Sequence, residues 1–141
     1  MIQRLLILPG DLDTLASEAR AEGFRALDVL AEEFSTGTNR FDGPGEALFG
    51  ARTAGRLVGI GGVTRDPYAP DAARVRRLYV AQSAREQGIG RALLAAIIAE
   101  ARLHFSLLRV RSPDDAAGFY LAAGFSALAE PRGASHVMVL A

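Results

Sequence analysis

Apolar residues recur along this chain in two different periods, and these periods separate predicted strands from predicted helices. Residues 2–8 form an apolar run that ends at a Pro-Gly pair, which predicts a first strand. A helix is predicted from Asp11 to about Gly23, with acidic residues in its first turn. A second helix is predicted over residues 24–34, where apolar side chains recur every three or four positions. Both helices are amphipathic, so each needs a partner surface.

The middle of the chain has the pattern of neighbouring antiparallel strands. Residues 46–52 and 57–64 are separated by a short turn segment, which predicts a hairpin, and a third apolar run covers residues 75–80. The preceding segment 35–45 is rich in turn-forming residues. It fits either a loop on the substrate side of a site or a plain surface loop.

The third apolar run leads directly into the most informative segment of the chain. A turn containing Gly88 and Gly90 is followed by a helix with apolar positions at Leu93, Leu94, Ile97, Ile98 and Ala101. The first turn of a helix leaves backbone N–H groups unpaired, and glycine lets an anion approach them closely. Arg85 and Arg91 would add charge for phosphate oxygens. The junction therefore predicts a phosphate or pyrophosphate site.

Two common phosphate loops do not fit this junction. The chain has no G-x-x-x-x-G-K-[ST] sequence, and Gly88-x-Gly90 is followed by Leu93 where a dinucleotide fingerprint has its third glycine. A Rossmann-type module would also need parallel strands before the glycines, whereas a hairpin is predicted there. Two glycines that merely shape a tight turn are the remaining structural alternative.

Composition and charge narrow the range of functions. The 141 residues suit one domain spanning residues 1–141, and sixteen basic residues balance sixteen acidic ones, so neither nucleic acid nor an anionic membrane is an expected partner. No apolar run reaches the roughly 20 residues of a membrane-spanning helix, and the chain has no secretory signal, so we expect a cytoplasmic protein. With no cysteine and only two histidines, we expect neither a thiol nucleophile nor a metal site.

The string from Leu78 to Leu94 resembles the acyl-CoA-binding signature of the GNAT superfamily of N-acetyltransferases. Its core is Arg85-x-x-Gly88-x-Gly90, where the family has Gln/Arg-x-x-Gly-x-Gly/Ala. Residues 107–110 read as a further strand, and the segment 116–125 resembles the family's helix ending in Phe-Tyr-x-x-x-Gly-Phe. The resemblance implies an α/β fold with a mixed, mainly antiparallel, twisted sheet of about seven strands and helices on both faces.

The resemblance also implies the activity and the residues that carry it. Acetyl-CoA would be the co-substrate, lying between two splayed strands over residues 75–81 and 107–110. Tyr120 would protonate the departing thiolate, unless it is only a packed aromatic. One departure concerns the position seven residues before Tyr120, where many members have a cofactor-binding Asn and this chain has Pro113. By resemblance, the cofactor-binding residues are Leu78, Tyr79, Val80, Arg85, Glu86, Gln87, Gly88, Ile89, Gly90 and Arg91.

The sequence defines the acceptor less well than the co-substrate. We expect direct attack by a primary amine of a small molecule or peptide, but the strand before the phosphate loop carries no carboxylate to act as base. Glu46, Asp66, Tyr79 or a water chain could serve. Arg74 and Arg76 share a strand face and would suit a carboxylate-bearing amine, unless they are ordinary surface charges. A noncatalytic acyl-CoA-binding regulatory domain is the alternative function, and the oligomeric state stays open between monomer and homodimer.

Overall fold

A computed structural model describes residues 1–129 and 133–140, which form a seven-stranded sheet with four α-helices. Two short 3-10 turns, at Gln82–Ala84 and Asp114–Ala116, precede the third and fourth helices. The elements in chain order are β1 (Ile2–Arg4), α1 (Leu12–Ala21), α2 (Ala26–Thr36), β2 (Ala47–Thr53), β3 (Arg56–Arg65), β4 (Ala72–Val80), α3 (Ile89–Arg102), β5 (Leu107–Val110), α4 (Ala117–Ala122), β6 (Ser126–Ala127) and β7 (His136–Val139).

The sheet has the strand order β1-β2-β3-β4-β5-β7-β6. All neighbours are antiparallel except β4 and β5, which are parallel because α3 crosses from the end of one to the start of the other. The predicted mixed, mainly antiparallel sheet of about seven strands is therefore confirmed, as is the hairpin of β2 and β3.

The pairing between β4 and β5 is short. It joins Ala72 to Leu107, Ala73 to Leu108 and Arg74 to Arg109, and it ends there, although β4 runs on to Val80. Beyond Arg74 the two strands separate and leave a wedge-shaped opening in the middle of the sheet. This opening corresponds to the predicted splay.

Helices cover both faces of the sheet. Helix α3 buries the four apolar side chains Leu93, Leu94, Ile97 and Ala101, and two of these lie over glycines of β3. Helices α1 and α2 pack on each other and on the opposite face, where they bury Leu15, Leu27 and Leu30. Burial of apolar side chains at this scale is the main stabilising contribution to such a layered fold.

Three predicted boundaries were wrong or shifted. The first strand pairs only from Ile2 to Arg4, and one more backbone hydrogen bond runs from the Leu5 N–H to the Leu48 carbonyl; beyond it Leu6 and Ile7 are more than three-quarters exposed. Helix α2 begins at Ala26 rather than at Phe24 and ends at Thr36 rather than Phe34. Phe24 lies outside it and stacks on Tyr79 with ring centroids 5.4 Å apart.

The turn-rich segment 35–45 is tied down by its own residues. Phe41 is buried against β3, and the Gly43 N–H donates to the Glu46 carboxylate at 3.2 Å. None of the residues 35–45, all of which the structure describes, lines the opening between β4 and β5. The geometry favours the surface-loop interpretation.

Candidate active site

The opening between β4 and β5 is a cleft of about 780 Å³. One wall is β4 from Arg74 to Val80, and the opposite wall runs from Val110 through the start of α4 to Tyr120. The end of α1 and the first turn of α3 close its two sides at Glu22 and Gly90. A cleft of this size at a break in a sheet is a usual place for a ligand site.

A bulge in β4 shapes the wall of the cleft. The register between β3 and β4 shifts between Ile60 and Gly62, so Arg77 and Leu78 together lie opposite Gly61. Arg77 has a φ of 57°, a conformation that side chains other than glycine rarely adopt. Such a bulge interrupts the ladder and re-aims side chains, and it lies where β4 has already parted from β5.

The three predicted residues of β4 all line the cleft, but their groups have different partners. The Val80 carbonyl accepts a hydrogen bond from Arg85 Nε at 3.0 Å. The Tyr79 hydroxyl donates toward the carboxylates of Glu18 and Glu22. Burial, followed by these hydrogen bonds, raises the pKa of Tyr79 far above its ordinary value, so Tyr79 is unsuited to act as a base near neutral pH.

The junction before α3 has the geometry expected of an anion site. Gly88 has a φ of 82° and immediately precedes the helix, whose first backbone bond runs from the Ala92 N–H to the Gly88 carbonyl at 3.0 Å. The backbone N–H groups in the first turn of this helix have no acceptor within the helix. Gly90 lies in the cleft wall, whereas the side chains of Glu86, Gln87 and Arg91 are exposed and do not line the cleft.

Arg85 is engaged by a residue that the sequence did not single out. Its guanidinium donates to both carboxylate oxygens of Glu22, at 2.6 and 3.0 Å, and lies 5.4 Å from the centre of the Tyr79 ring. These hydrogen bonds from Arg85, together with one from Tyr79, lower the pKa of Glu22. Glu22 lies 63 positions from Arg85, and no local pattern connects the two. A phosphate role for Arg85 stays a prediction that must account for this pairing.

Tyr120 lies in the wall of the cleft that is formed by α4. It is 4% exposed and makes edge contacts with Phe119 and Phe125, with ring centroids 5.1 and 5.4 Å away. No hydrogen bond involves its hydroxyl in the described part of the chain, and burial raises its pKa well above the ordinary value. The phenol is therefore protonated throughout the neutral range.

The loop after β5 departs from the family pattern as the sequence indicated. Pro113 lines the cleft and offers no side-chain donor, and the Ser112 hydroxyl donates to the Pro113 carbonyl at 2.7 Å. Neither Ser112 nor Asp114 lines the cleft, whereas Asp115 does.

The carboxylates of Glu46 and Asp66, the two candidate bases in the first half of the chain, form hydrogen bonds within loops and do not face the cleft. The Glu46 carboxylate accepts from the Arg65 N–H at 2.9 Å. The Asp66 side chain is fully buried, accepts from the Tyr68 N–H and forms ion pairs with Arg74 and Arg109 at 3.7 and 3.3 Å. Neither carboxylate is placed to accept a proton from a substrate in the cleft.

Arg74 and Arg76 both line the cleft and share one face of β4. They lie opposite Thr64 and Gly62 of β3, so their side chains point the same way. Arg74 is buried beside Asp66, but no hydrogen bond satisfies its Nη1. The Arg76 Nε donates to the Thr64 hydroxyl at 3.0 Å, and the residue is partly exposed in the wall of the cleft.

In residues 1–129 and 133–140, no group of three or more metal-binding side chains lies close enough together to hold an ion. Within the same residues, no helix is both long and apolar enough to cross a bilayer.

Comparison with known proteins agrees with the fold. The sequence profile of the acetyltransferase (GNAT) domain matches residues 15–140, most of the chain. The chain therefore belongs to the GNAT acetyltransferase family. No curated protein matches the sequence significantly.

Solved structures with this fold are numerous. A provisionally assigned acetyltransferase from Exiguobacterium sp. 255-15 is 28% identical, with a TM-score of 0.90 over 99% of this chain and 92% of its own. An Escherichia coli GNAT family N-acetyltransferase in complex with CoA is 18% identical, with a TM-score of 0.72 over 100% and 81%. An aminoglycoside 6'-N-acetyltransferase complexed with coenzyme A is 16% identical, with a TM-score of 0.75 over 100% and 97%. The last two likenesses concern the fold alone.

Proposed function

We propose that this protein transfers the acetyl group of acetyl-CoA to a primary amine of a small molecule or peptide. The observation that carries the proposal is the parting of β4 from β5 after Arg74, which opens a cleft between the Gly88–Gly90 turn and Tyr120. The fold neighbours crystallised with CoA support the choice of co-substrate.

The residues of the cleft suit acetyl-CoA at several points. The unpaired N–H groups at the start of α3 would hold its pyrophosphate, and Gly90 leaves that approach open in the cleft wall. Leu78 and Val80 of the bulged strand would lie along its acyl and pantetheine part. Bound acetyl-CoA supplies an activated acetyl group as a thioester.

The transfer is then a direct displacement in a ternary complex. The nitrogen of the acceptor forms a bond to the acetyl carbon, and the bond from that carbon to sulfur breaks. Tyr120 gives its hydroxyl proton to the sulfur, which leaves as a thiol, and the tyrosine regains a proton from water. General acid catalysis of this kind contributes on the order of 100-fold to 10,000-fold to a rate.

The amine must lose its proton before it attacks, and water in the open cleft is the simplest acceptor of that proton. The carboxylates that line the cleft are Glu22, whose pKa is lowered by Arg85 and Tyr79, and the exposed Asp115. The guanidiniums of Arg74 and Arg76 also disfavour a positively charged ammonium nearby. This repulsion favours the neutral, reactive form of the amine without a dedicated carboxylate base.

The activity is tested by measuring thiol release from acetyl-CoA in the presence of amines, amino acids and peptides, with mass spectrometry of the products. An amide product that carries one added acetyl group and forms in step with free thiol supports the proposal. Binding of acetyl-CoA with no acetylated product from any acceptor class would favour the noncatalytic alternative, in which Tyr120 has no chemical role.

A further inference from the structure

The arginines at the mouth of the cleft are arranged in two pairs across the parting strands. The first pair is Arg74 and Arg109, which occupy the last paired position of β4 and β5. The buried carboxylate of Asp66 lies between their guanidiniums, 3.7 Å from Arg74 Nη1 and 3.3 Å from Arg109 Nη1. This pair has a counter-ion within the protein.

The second pair is Arg76 and Arg111, which lie two residues beyond Arg74 and Arg109 in the chain. Residues two apart on a strand point to the same side, and the alternating burial of Leu108, Arg109 and Val110 follows this rule. Arg111 directly follows the last residue of β5, and Arg76 and Arg111 line the cleft from its two opposite walls. The strands no longer pair at this level, so a gap lies between them.

Among residues 1–129 and 133–140, no carboxylate forms an ion pair with Arg76 or Arg111. Arg76 donates from Nε to the neutral hydroxyl of Thr64. In the described part of the chain, Arg111 forms no hydrogen bond or ion pair, and it is exposed to the cleft. Asp115 also lines the cleft but forms no ion pair with either arginine.

Among the described residues, positive side chains outnumber acidic ones around this gap. Three further guanidiniums, those of Arg74, Arg77 and Arg109, are nearby, of which Arg74 and Arg109 form ion pairs with Asp66 and Arg77 forms one with Glu33. Burial lowers the pKa of Arg74 most, with repulsion from Arg109 and Arg111 adding to the effect. Buried Nη1 of Arg74 and Nε of Arg77 also lack acceptors. An anionic ligand between Arg76 and Arg111 would reduce the repulsion among these guanidiniums.

We propose that the acceptor amine also carries an acidic group, and that Arg76 and Arg111 grip this group from opposite sides of the cleft mouth. Guanidinium groups present paired N–H donors that match the oxygens of a carboxylate or a phosphate. Arg76 directly precedes the bulge at Arg77, so an anion held there leaves the amine end of the same molecule free to reach toward Leu78 and Val80. Arg74 acts as a positioning residue, since Asp66 holds it beside Arg76.

The inference rests on the proposed function but is tested by a binding measurement that needs no turnover. Calorimetric titrations of the CoA-saturated protein use the standard L-amino acids against their carboxamides, and O-phosphoethanolamine against ethanolamine. At least one acidic probe should bind about tenfold or more tightly than its neutral partner. Comparison of the carboxylate probes with the phosphate probe shows which anion Arg76 and Arg111 prefer.

Variants assign the preference to the two arginines. Arg76→Ala and Arg111→Ala should each weaken binding of the preferred acidic probe by about 10- to 100-fold. Neither change should alter the affinity for the neutral partner or for CoA. Arg76→Lys keeps the charge but not the paired donors, so its affinity for the acidic probe should lie between those of Arg76→Ala and the wild type. Arg56→Ala, at the exposed β2–β3 turn, is the matched control and should bind every probe like the wild type.

A double variant tests whether both arginines bind the same ligand. If they do, the combined loss in Arg76→Ala with Arg111→Ala differs from the product of the single losses, because the two residues share a partner. Equal binding of acidic and neutral probes, no binding of any acidic probe, or a preference that survives in both single variants would overturn the inference. Acetylation of neutral amines by the same protein would then leave the proposed function standing.

Discussion

Arg85 and Glu22 form a paired hydrogen bond that ties the turn before α3 to the end of α1. The same guanidinium donates to the Val80 carbonyl, so one side chain joins the phosphate turn, β4 and α1. The pairing places the end of α1 in contact with the turn that is expected to hold the pyrophosphate. The two halves of the site are thereby connected through side chains on the surface of the cleft.

Replacing Glu22 by Gln tests what this connection does. Loss of the charged partner loosens the turn, so the affinity for CoA should fall by about two- to fivefold, a small effect because both side chains are partly exposed. Calorimetry measures this change, with Asp28→Gln as an acidic-residue control on the far, exposed Arg20 pair. A rise in affinity would instead mean that Glu22 competes with phosphate for Arg85.

Replacing Tyr120 by Phe separates chemistry from packing. The hydroxyl has no hydrogen-bond partner in the described residues, so the fold and the affinity for acetyl-CoA should change little. The value of kcat should fall on the order of 100-fold, because only the transition state requires the proton. The exposed Tyr68, replaced by Phe, serves as the control. Unchanged kcat would make Tyr120 an ordinary packed aromatic.

The pH dependence of the rate follows from the same residue. Burial raises the pKa of Tyr120 above its ordinary value of 10.0, so the phenol stays protonated as the pH rises through the neutral and mildly alkaline range. The value of kcat should therefore rise with pH as the acceptor amine loses its proton, without a decline up to about pH 10. A decline between pH 8 and 10 in the wild type that is absent in Tyr120→Phe would contradict this assignment.

Asp66 has a structural role, which its substitution by Asn should expose. The change removes the carboxylate charge that pairs with the guanidiniums of Arg74 and Arg109, and breaking a buried pair of this kind costs about 3–5 kcal/mol. Chemical denaturation should show this loss, whereas Asp28→Asn at the exposed Arg20 pair should leave stability nearly unchanged. Full stability with lost activity would point instead to a direct chemical role for Asp66.

Much of the fold could be predicted from the sequence because it depends on local patterns. The apolar period of α3 and the glycine before it predict a helix that starts near Gly88, and the structure begins it at Ile89. The hairpin of β2 and β3 follows from two apolar runs around a short turn. The first strand was predicted too long, because hydrophobicity alone does not show where the chain leaves its neighbour β2.

The side-chain partners within the site could not be predicted in the same way. The Glu22–Arg85 pair and the position of Asp66 between two arginines join residues that are far apart in the chain. They depend on how β4 and β5 separate, which in turn depends on packing against α1 and α3. Arg111 was overlooked because its meaning comes only from its place opposite Arg76.

The central claim is that acetyl-CoA binds in the cleft with its pyrophosphate at the first turn of α3. Its most direct test is a calorimetric titration of CoA into the wild type, Gly90→Ala and Gly90→Glu. A Cβ at Gly90 would meet Phe119 and Val80 at 3.5 and 3.6 Å, ordinary contact distances, so the Ala variant is an adequate steric control. A glutamate in a first helical turn is compatible with the helix, so the fold should persist.

The wild type should bind CoA in the low-micromolar to millimolar range typical of enzyme substrates. Gly90→Ala should stay within a few-fold of it, and Gly90→Glu should lose on the order of 100-fold or more, because its carboxylate repels phosphate. Equal binding of CoA by the wild type and Gly90→Glu, or no binding by the folded wild type, would contradict the assignment of this cleft.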